Sequence, residues 1–549
     1  MSVTSTPPGG TDLVDVLLVG LGPVGATLAN LLGRQGVRVL AIDRATTIFD
    51  KPRAIVLDNE ALRILQQAGL RDGDFSKVVI PQVKYHSPLF GCFARINTAR
   101  VVDGHPVLVS FYQPELEAAL RRRLADHACV EVRLGVSLQN FVDDGQSVVA
   151  TLEDAGGAIR NVQARYLVGA DGAGSHVRHR LQLDFQGRTF AQDWLIVDAR
   201  DVPAPIDHVE FLCDPRRPTP RMVAPGGRQR WEFMLRKGER PSDMEHPDQV
   251  RALLAPWCDP KDITIERTAV YRFHARDARR FSKGRCFLVG DAAHITPPFA
   301  GQGLVSGLRD VANLGWKLTG VVQGRLQEDV LDSYDRERRP HARKIINLAR
   351  FLGMLVMPSN RVVAAAVHGA IRAIRLLPAG RAAFDDLKIK PPQVFDEGLF
   401  WRDHGARRLL AGSMLPQARV RVGDGTVTGL SDDVLGAAWS LIGFGVDPAR
   451  LVDGDLLERW HRLGGRTWQW CLRGQTRDLA PADRCLHELS DESVLPLSIA
   501  SGWIAVVRPD RCVMAEGPAS QLPTLLRRVL DTVEAAAPER LLRPLAASA

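Results

Sequence analysis

No C-x-x-C pair occurs in the 549 residues, although the chain holds eight cysteines: Cys92, Cys129, Cys213, Cys258, Cys286, Cys471, Cys485 and Cys512. Scattered in this way they spell neither a zinc framework nor a dithiol redox motif. No metal site is expected, and a reducing, cytoplasmic setting is. The N-terminus, MSVTSTPPGGTD, lacks the apolar centre of a signal peptide. Residues 1–13 are therefore expected to form a disordered polar leader. No unbroken apolar run is long enough to span a membrane. The nearest, Val362 to Leu377, is interrupted by His368, Arg372 and Arg375 and suits an amphipathic packing helix. Blocks of one charge are also missing. The net charge of +8 comes from 71 basic and 63 acidic residues spread along the chain, with Arg121–Arg123 the longest basic run. That dispersal argues against a nucleic-acid partner and leaves a mild preference for anionic ligands. No internal repeat is visible. Length and a hydrophobic content of 45% predict two to four globular domains.

What is present begins at Val14–Arg44, VDVLLVGLGPVGATLANLLGRQGVRVLAIDR. Val16–Val19 is a short apolar run, as expected of a strand buried on both faces. Gly20, Gly22 and Gly25 then form G-x-G-x-x-G, with Pro23 and Val24 inside it. Ala26–Gln35 has helical apolar spacing, Gly36 stops it, and Val37–Ile42 is a second strand ending on Asp43 and Arg44. The first glycine permits the turn, the second a close pyrophosphate, the third tight helix–strand packing. Amides at the helix start face the phosphates, and Asp43 accepts from an adenosine ribose. This is a dinucleotide site; the stretch alone leaves the identity of the dinucleotide open.

Further along, Arg53 follows in a loop where a guanidinium can meet a phosphate. Residues 78–112 hold short strands, and Gln113-Pro114 opens a helix. Val130–Arg133, Val148–Leu152 and Gln163–Val168 are expected as strands of a sheet extension. A second glycine-rich strand end carries Asp171-Gly172. Residues 184–275 are β-rich, aromatic and dense in arginine, which predicts a separate antiparallel layer. A third strand end reads GDAAHITPPFAGQGLVSGLRDVANLGWKL from Gly290. Helices fill 327–385, and an α/β region runs from about 400 to the end, with a final helix at Gln521–Ala536.

Three ordered motifs, Gly20–Gly25, Asp171-Gly172 and Gly290-Asp291, resemble those of the FAD-dependent aromatic hydroxylases, the group A flavoprotein monooxygenases. The likeness is strong over 14–350. It implies an α/β fold: a Rossmann-like FAD-binding domain (14–183 and 276–350) with an inserted antiparallel-sheet substrate domain (184–275, helped by 78–112). A helical linker (351–399) and a C-terminal thioredoxin-like domain (400–549) complete it. The latter lacks C-x-x-C, so its role is structural or oligomerising, with a homodimer possible.

The resemblance also implies roles. Gly20, Gly22, Pro23, Val24, Gly25, Asp43, Arg44 and Arg53 would hold the AMP half of FAD. Gln113 would contact the flavin side, and Asp171 and Gly172 would touch FAD and the nicotinamide nucleotide. Gly290 and Asp291 would meet the ribityl chain, and Gly301, Gln302, Gly303 and Leu304 the flavin ring. His294 and Pro298 are the candidate catalytic residues: Pro298 lines the substrate position, whereas His294 belongs to the motif itself and points to a structural or flavin-adjacent role. NADH or NADPH, for which no second G-x-G-x-x-G exists, would bind transiently and reduce FAD. Oxygen would then form a C4a-hydroperoxide that hydroxylates a phenolic ring.

Within the family, KPRAIVLDNEALRILQQAGL and FLCDPRRPTP…RWEFML are most similar to hydroxylases of 3-(3-hydroxyphenyl)propionate and 3-hydroxycinnamate. Arg216, Arg221 and Arg230 would hold the carboxylate tail of such a substrate. Rival readings are a hydroxylase of another phenol or a polyketide, and a non-catalytic nucleotide binder. A flavin halogenase is disfavoured because W-x-W-x-I-P is missing from mid-chain.

Overall fold

The computed structural model describes residues 13–534 except 50–52, 359, 379, 382–389, 403–407, 424, 426, 476, 490–492 and 497–498. The expected leader thus lies outside the described residues apart from Leu13, which opens the first strand. The final helix, expected to run to Ala536, spans Leu522–Val533 and ends there, because Glu534 is extended and bridges to Leu326.

The first sheet is built on strand Leu13–Val19, which lies parallel to Val39–Asp43 through helix Pro23–Gly33. Val130–Leu134 adds a parallel strand outside Val39–Asp43. On the other side Ile159–Gly169 runs parallel to Leu13–Val19. The far end of that long strand pairs in parallel with Cys286–Leu288, and its near end pairs antiparallel with Val148–Asp154. Of the strands expected as a sheet extension, Val130–Leu134 does form an edge, whereas Ile159–Gly169 is central. Leu167 and Val168 are fully buried, so their strand belongs at the centre of the sheet, where both faces are covered.

The register has a direct consequence. Val19, Gly169 and Leu288 lie side by side, so all three glycine-rich strand ends emerge together at the carboxyl edge. That edge is where open α/β sheets bind ligands.

A second sheet of eight strands runs in the order His294–Ile295, Thr264–Ala278, Phe185–Arg200, Arg228–Met234, Thr219–Ala224, Val209–Leu212, Gln82–Ser87, Gly91–Asn97. It is antiparallel except where Val209–Leu212 meets Gln82–Ser87, a parallel junction made because those two strands come from distant parts of the chain. Alternation along each strand gives two apolar faces. One carries Trp231, Phe233, Leu195 and Val197 and is covered by the short helices Pro241–Met244 and Pro247–Leu254. The other carries Trp194, Met222 and Tyr85 and meets Phe299 of the third motif.

Helices Gly303–Val322 and Ser333–Val356 buttress the first sheet, and Arg361–Ile374 lies against strand Gly91–Asn97. The C-terminal region holds a seven-stranded sheet centred on Trp439–Phe444. Gly465–Cys471 is its parallel neighbour on one side, and Trp503–Val507 its antiparallel neighbour on the other. Among the described residues no single helix is long and apolar enough to cross a membrane.

Candidate active site

The first glycine turn is made by sterics. Gly20 has φ +101°, and a Cβ there would lie 2.5 Å from the Ala170 carbonyl oxygen, so strand ends one and two abut without side chains between them. A Cβ on Gly25 would fall 2.0 Å from the Gly20 carbonyl oxygen. Gly22 differs: nothing lies within 4 Å of where its Cβ would be. Gly22 is also the N-cap of helix Pro23–Gly33 and gives it no side-chain cap, so the first amides remain available to an anion. Asp43 steadies the turn by accepting from the Leu21 amide at 2.8 Å, while Arg44 beside it is exposed. Val24 turns inward and fills the space beside Gly290 and Gly307, joining the first motif to the third.

The mid-chain motif is used mainly for support. Asp171 accepts from Ser175 Oγ at 2.5 Å and from the Val177 amide at 3.1 Å, and Gly172 (φ +79°) makes the turn. Arg178, just beyond, donates to the Ala292 carbonyl at 2.8 Å and so ties this motif to Gly290-Asp291.

Around Gly290 the charges divide by partner. Asp310 accepts from the Gly290 amide (3.0 Å) and from Arg338 Nε (2.9 Å), and it pairs with His294 Nε2 (2.7 Å), all fully buried. Burial alone would push the Asp310 carboxyl up, but His294 and Arg338 offset this and hold it below the usual carboxylate range. His294 is thus a strut. Asp291 is the reverse case: its carboxylate has no hydrogen-bond or ion-pair partner among the described residues. Burial raises its pKa, opposed in part by His294 and by Arg53, which the fold brings near it. A half-buried acceptor with no donor among the described residues is open to hydroxyl donors.

Gln113 holds the loop that places Arg53. Its Oε1 accepts from the amides of Arg53 and Ala54, each at 2.9 Å. Gly301 (φ +61°) lies against Val56, and helix Gly303–Val322 begins without a side-chain cap, its N-cap being Gln302. The Gln302 amide is engaged by Asp58 (3.1 Å) and Arg309 (3.0 Å), while Leu304 packs on the core. Pro298 opens the turn before it, and Phe299 at its centre packs edge-on against Phe190, Trp194 and Phe273 of the second sheet.

Of the three arginines expected at a substrate carboxylate, none stands free for it. Arg216 is exposed and held by Asp214 at 2.8 Å. Arg221 lies on the face of the second sheet turned away from Phe299, paired with Glu210 and stacked on Trp257. One residue of offset along a strand reverses the face, which spacing alone does not reveal. Arg230 is on the facing side but donates to Asp198 (2.6 and 2.9 Å) and to the Arg53 carbonyl (2.9 Å). Residues given no role in the sequence are Asp310 and Arg338, which hold the third turn, and Phe273, which joins Phe190 and Trp194 of the aromatic layer around Phe299. Asp310 follows GQGLVSGLR directly, so its place in the motif was its only signal.

Two other features lie elsewhere. Cys471, Cys485 and His487, on adjacent parallel strands of the C-terminal sheet, have ligand atoms within 4.8 Å of one another. Cysteines scattered in sequence are therefore not all scattered in space. A cleft of about 2680 Å³ is lined by residues including Arg34, Lys77, Trp316 and Arg466, away from Gly20–Gly25, Asp171-Gly172 and Gly290–Leu304.

An uncapped helix start above an open glycine, an unpartnered carboxylate and a second uncapped helix suit, in order, a pyrophosphate, a polyol and an electron-rich flat ring. That is the layout of an FAD-binding hydroxylase. The FAD binding domain family matches residues 13–349, and the chain belongs to it. A second family, the HcaD C-terminal domain, matches residues 412–532.

Among curated proteins, the chain is similar to the 3-(3-hydroxy-phenyl)propionate/3-hydroxycinnamic acid hydroxylase of Comamonas testosteroni, at 34% identity over 94% of this chain and 96% of that one. A second relative of that name from Burkholderia vietnamiensis is 36% identical over 91% and 93%. Among solved structures, the flavin-dependent monooxygenase PieE in complex with FAD and substrate has a TM-score of 0.77 at 22% identity, covering 95% of this chain and all of that one. Aklavinone-11 hydroxylase gives 0.74 at 23%, over 94% and 99%. The protein is an FAD-dependent aromatic hydroxylase, as its sequence motifs imply.

Proposed function

We propose that this hydroxylase acts on 3-(3-hydroxyphenyl)propionate or 3-hydroxycinnamate, using NADH or NADPH and O2 to give the 2,3-dihydroxy product. The observation that supports the substrate is relatedness along the whole chain. Curated relatives of that name match more than nine-tenths of both partners, the C-terminal region included. The solved neighbours, at 22–23% identity, support the fold alone and say nothing of this chain's substrate.

Bound FAD supplies the acceptance of hydride from the nicotinamide and the activation of oxygen. The chain's own residues do the rest. The Gly22 turn and the amides of helix Pro23–Gly33 would hold the pyrophosphate. Asp291 accepts from the ribityl hydroxyls. The amides at the start of helix Gly303–Val322 stabilise negative charge where the ring is reduced. The cluster of Phe190, Trp194, Phe273 and Phe299 keeps water from the reacting ring.

The purified protein should be yellow and should oxidise NADH many times faster when 3-(3-hydroxyphenyl)propionate is added, with a catechol as product. A yellow protein indifferent to that compound would sink the substrate assignment. Asp291→Ala should retain FAD about 10- to 100-fold more weakly, the worth of a charge-assisted hydrogen bond of about 1.5–3 kcal/mol. Unchanged flavin content after gel filtration would remove Asp291 from the site.

A further inference from the structure

We propose that Glu232 accepts the proton of the substrate's ring hydroxyl. The proposal rests on the reading of this protein as a hydroxylase of phenols and names a residue for a step that reading leaves unassigned.

Strand Arg228–Met234 presents two rows of side chains. Trp231 and Phe233 point into the cluster under the short helices. The opposite row is Arg228, Arg230, Glu232 and Met234. Arg230 reaches the backbone carbonyl of Arg53 at 2.9 Å, and Met234 packs on the cluster that contains Phe299. Glu232 lies between these two contacts. It therefore faces the FAD-binding domain between the loop that carries Arg53 and the Pro298–Ala300 turn, where family members hold substrate.

Its surroundings single it out. Glu232 is only 6% exposed, yet its carboxylate has no hydrogen-bond or ion-pair partner among the described residues. The charged groups facing it are partnered. Arg230, on its own strand, is held by Asp198 of the neighbouring strand. Arg267, on the strand beyond, is 3.3 Å from Asp198 and hydrogen-bonds Tyr271. On its other side strand Thr219–Ala224 presents no charge to this face, only Pro220, Met222 and Ala224. A carboxylate with no partner among the described residues is open to a donor from outside the chain.

Arg230 and Arg267 favour the Glu232 carboxylate, and Asp198 opposes it. Burial outweighs this and pushes the acid up to about 7. The group can therefore take and give a proton near neutral pH. In the step proposed, the phenol O–H bond breaks, an O–H bond forms on Glu232, and the electron pair stays on the phenolate oxygen. The guanidiniums of Arg230 and Arg267 favour the phenolate, whose free acid has a pKa near 10. Ionisation enriches the ring carbon beside the oxygen, where the new hydroxyl enters. An ionised Glu232 repels a carboxylate tail, so the hydroxyl end of the substrate is the end that meets it.

The test uses FAD-loaded wild type, Glu232→Gln and Glu232→Asp, with 4-nitrophenol as a probe whose phenolate absorbs at longer wavelength than the neutral form. Difference spectra are recorded between about pH 5 and 9. Wild type should bind the phenolate at a pH where the free probe is largely neutral. Glu232→Gln, identified as folded by an unaltered flavin spectrum, should bind the probe neutral and move its ionisation up by about one pH unit or more. Its kcat should fall by about 100-fold with KM for NADH unchanged, and Glu232→Asp should restore part of both signals. A Glu232→Gln enzyme that ionises the probe and turns over like wild type overturns the proposal. The probe does not depend on the natural substrate. A wild type inert toward 3-(3-hydroxyphenyl)propionate that still ionises nitrophenol through Glu232 defeats only the substrate assignment.

Discussion

Asp291 and His294 stand three residues apart, and their partners send them to opposite tasks. His294, the side chain that most looks like an acid/base, is spent on Asp310 and through it on the Gly290 turn. His294→Ala should therefore lower stability by about 1–3 kcal/mol, the cost of leaving a buried partner unmet, and should loosen FAD. Thermal melts and flavin content check both. Glu232 adds a pH-dependent term. Its folded value of about 7 lies above the ordinary 4.5, so its contribution to stability is fully present below about pH 4.5 and is lost as pH rises through about 7. Glu232→Gln should remove that loss. Relative to wild type it should gain at most about 3 kcal/mol between pH 5 and pH 8, read from urea midpoints.

At the scale of elements, the glycines of the first turn have separable duties. Gly25 keeps helix Pro23–Gly33 against the strand end, and the 2.0 Å approach to Gly20 forbids any side chain. Gly22 keeps open space for a ligand. Gly22→Ala should fold with a near-normal melting temperature and bind FAD poorly. Gly25→Val should yield little folded protein at all. Equal folding losses in both variants would contradict this division, and far-UV circular dichroism with flavin content decides it. The strands teach a parallel lesson. Arg221 and Arg230 lie in one arginine-rich stretch, yet they serve opposite faces of the sheet because side chains alternate.

At the scale of the molecule, buried ion pairs dock the C-terminal region on the FAD-binding part. Arg508 meets Glu337 at 2.7 and 3.0 Å, with Lys317 at 2.8 Å on the same carboxylate. Arg63 meets Asp432 at 2.7 and 2.9 Å. Burial opposes ionisation of Glu337, but Arg508 and Lys317 hold it far below the usual range. The Lys317 ammonium is itself pushed down to about 8 by burial. Glu337→Gln removes the carboxylate bound by Lys317 and leaves Arg508 with Asp510 alone, and it should cost about 3–5 kcal/mol, seen as a lower urea midpoint. In wild type the Glu337 contribution is present above about pH 4.5 and is lost only under stronger acid. A Glu337→Gln protein as stable as wild type would mean that these pairs do not hold the two parts together.

The sequence by itself determined the first turn, its helix and the order of the three motifs. Those features depend on local chemistry: glycine where a Cβ cannot fit, apolar runs where both faces are covered. It also carried enough motif to name FAD and the class of reaction. Only the tertiary structure decided what each motif is for. The side-by-side register of Val19, Gly169 and Leu288 brings distant turns to one edge, and that pairing is a long-range property no spacing encodes. The same holds for the partner that claims each charge. His294 became a strut because Asp310 lies across from it, the substrate arginines were claimed by Asp214, Glu210 and Asp198, and Glu232 was left open. Burial and pairing set the role of an ionisable side chain, and both are settled only when the layers close.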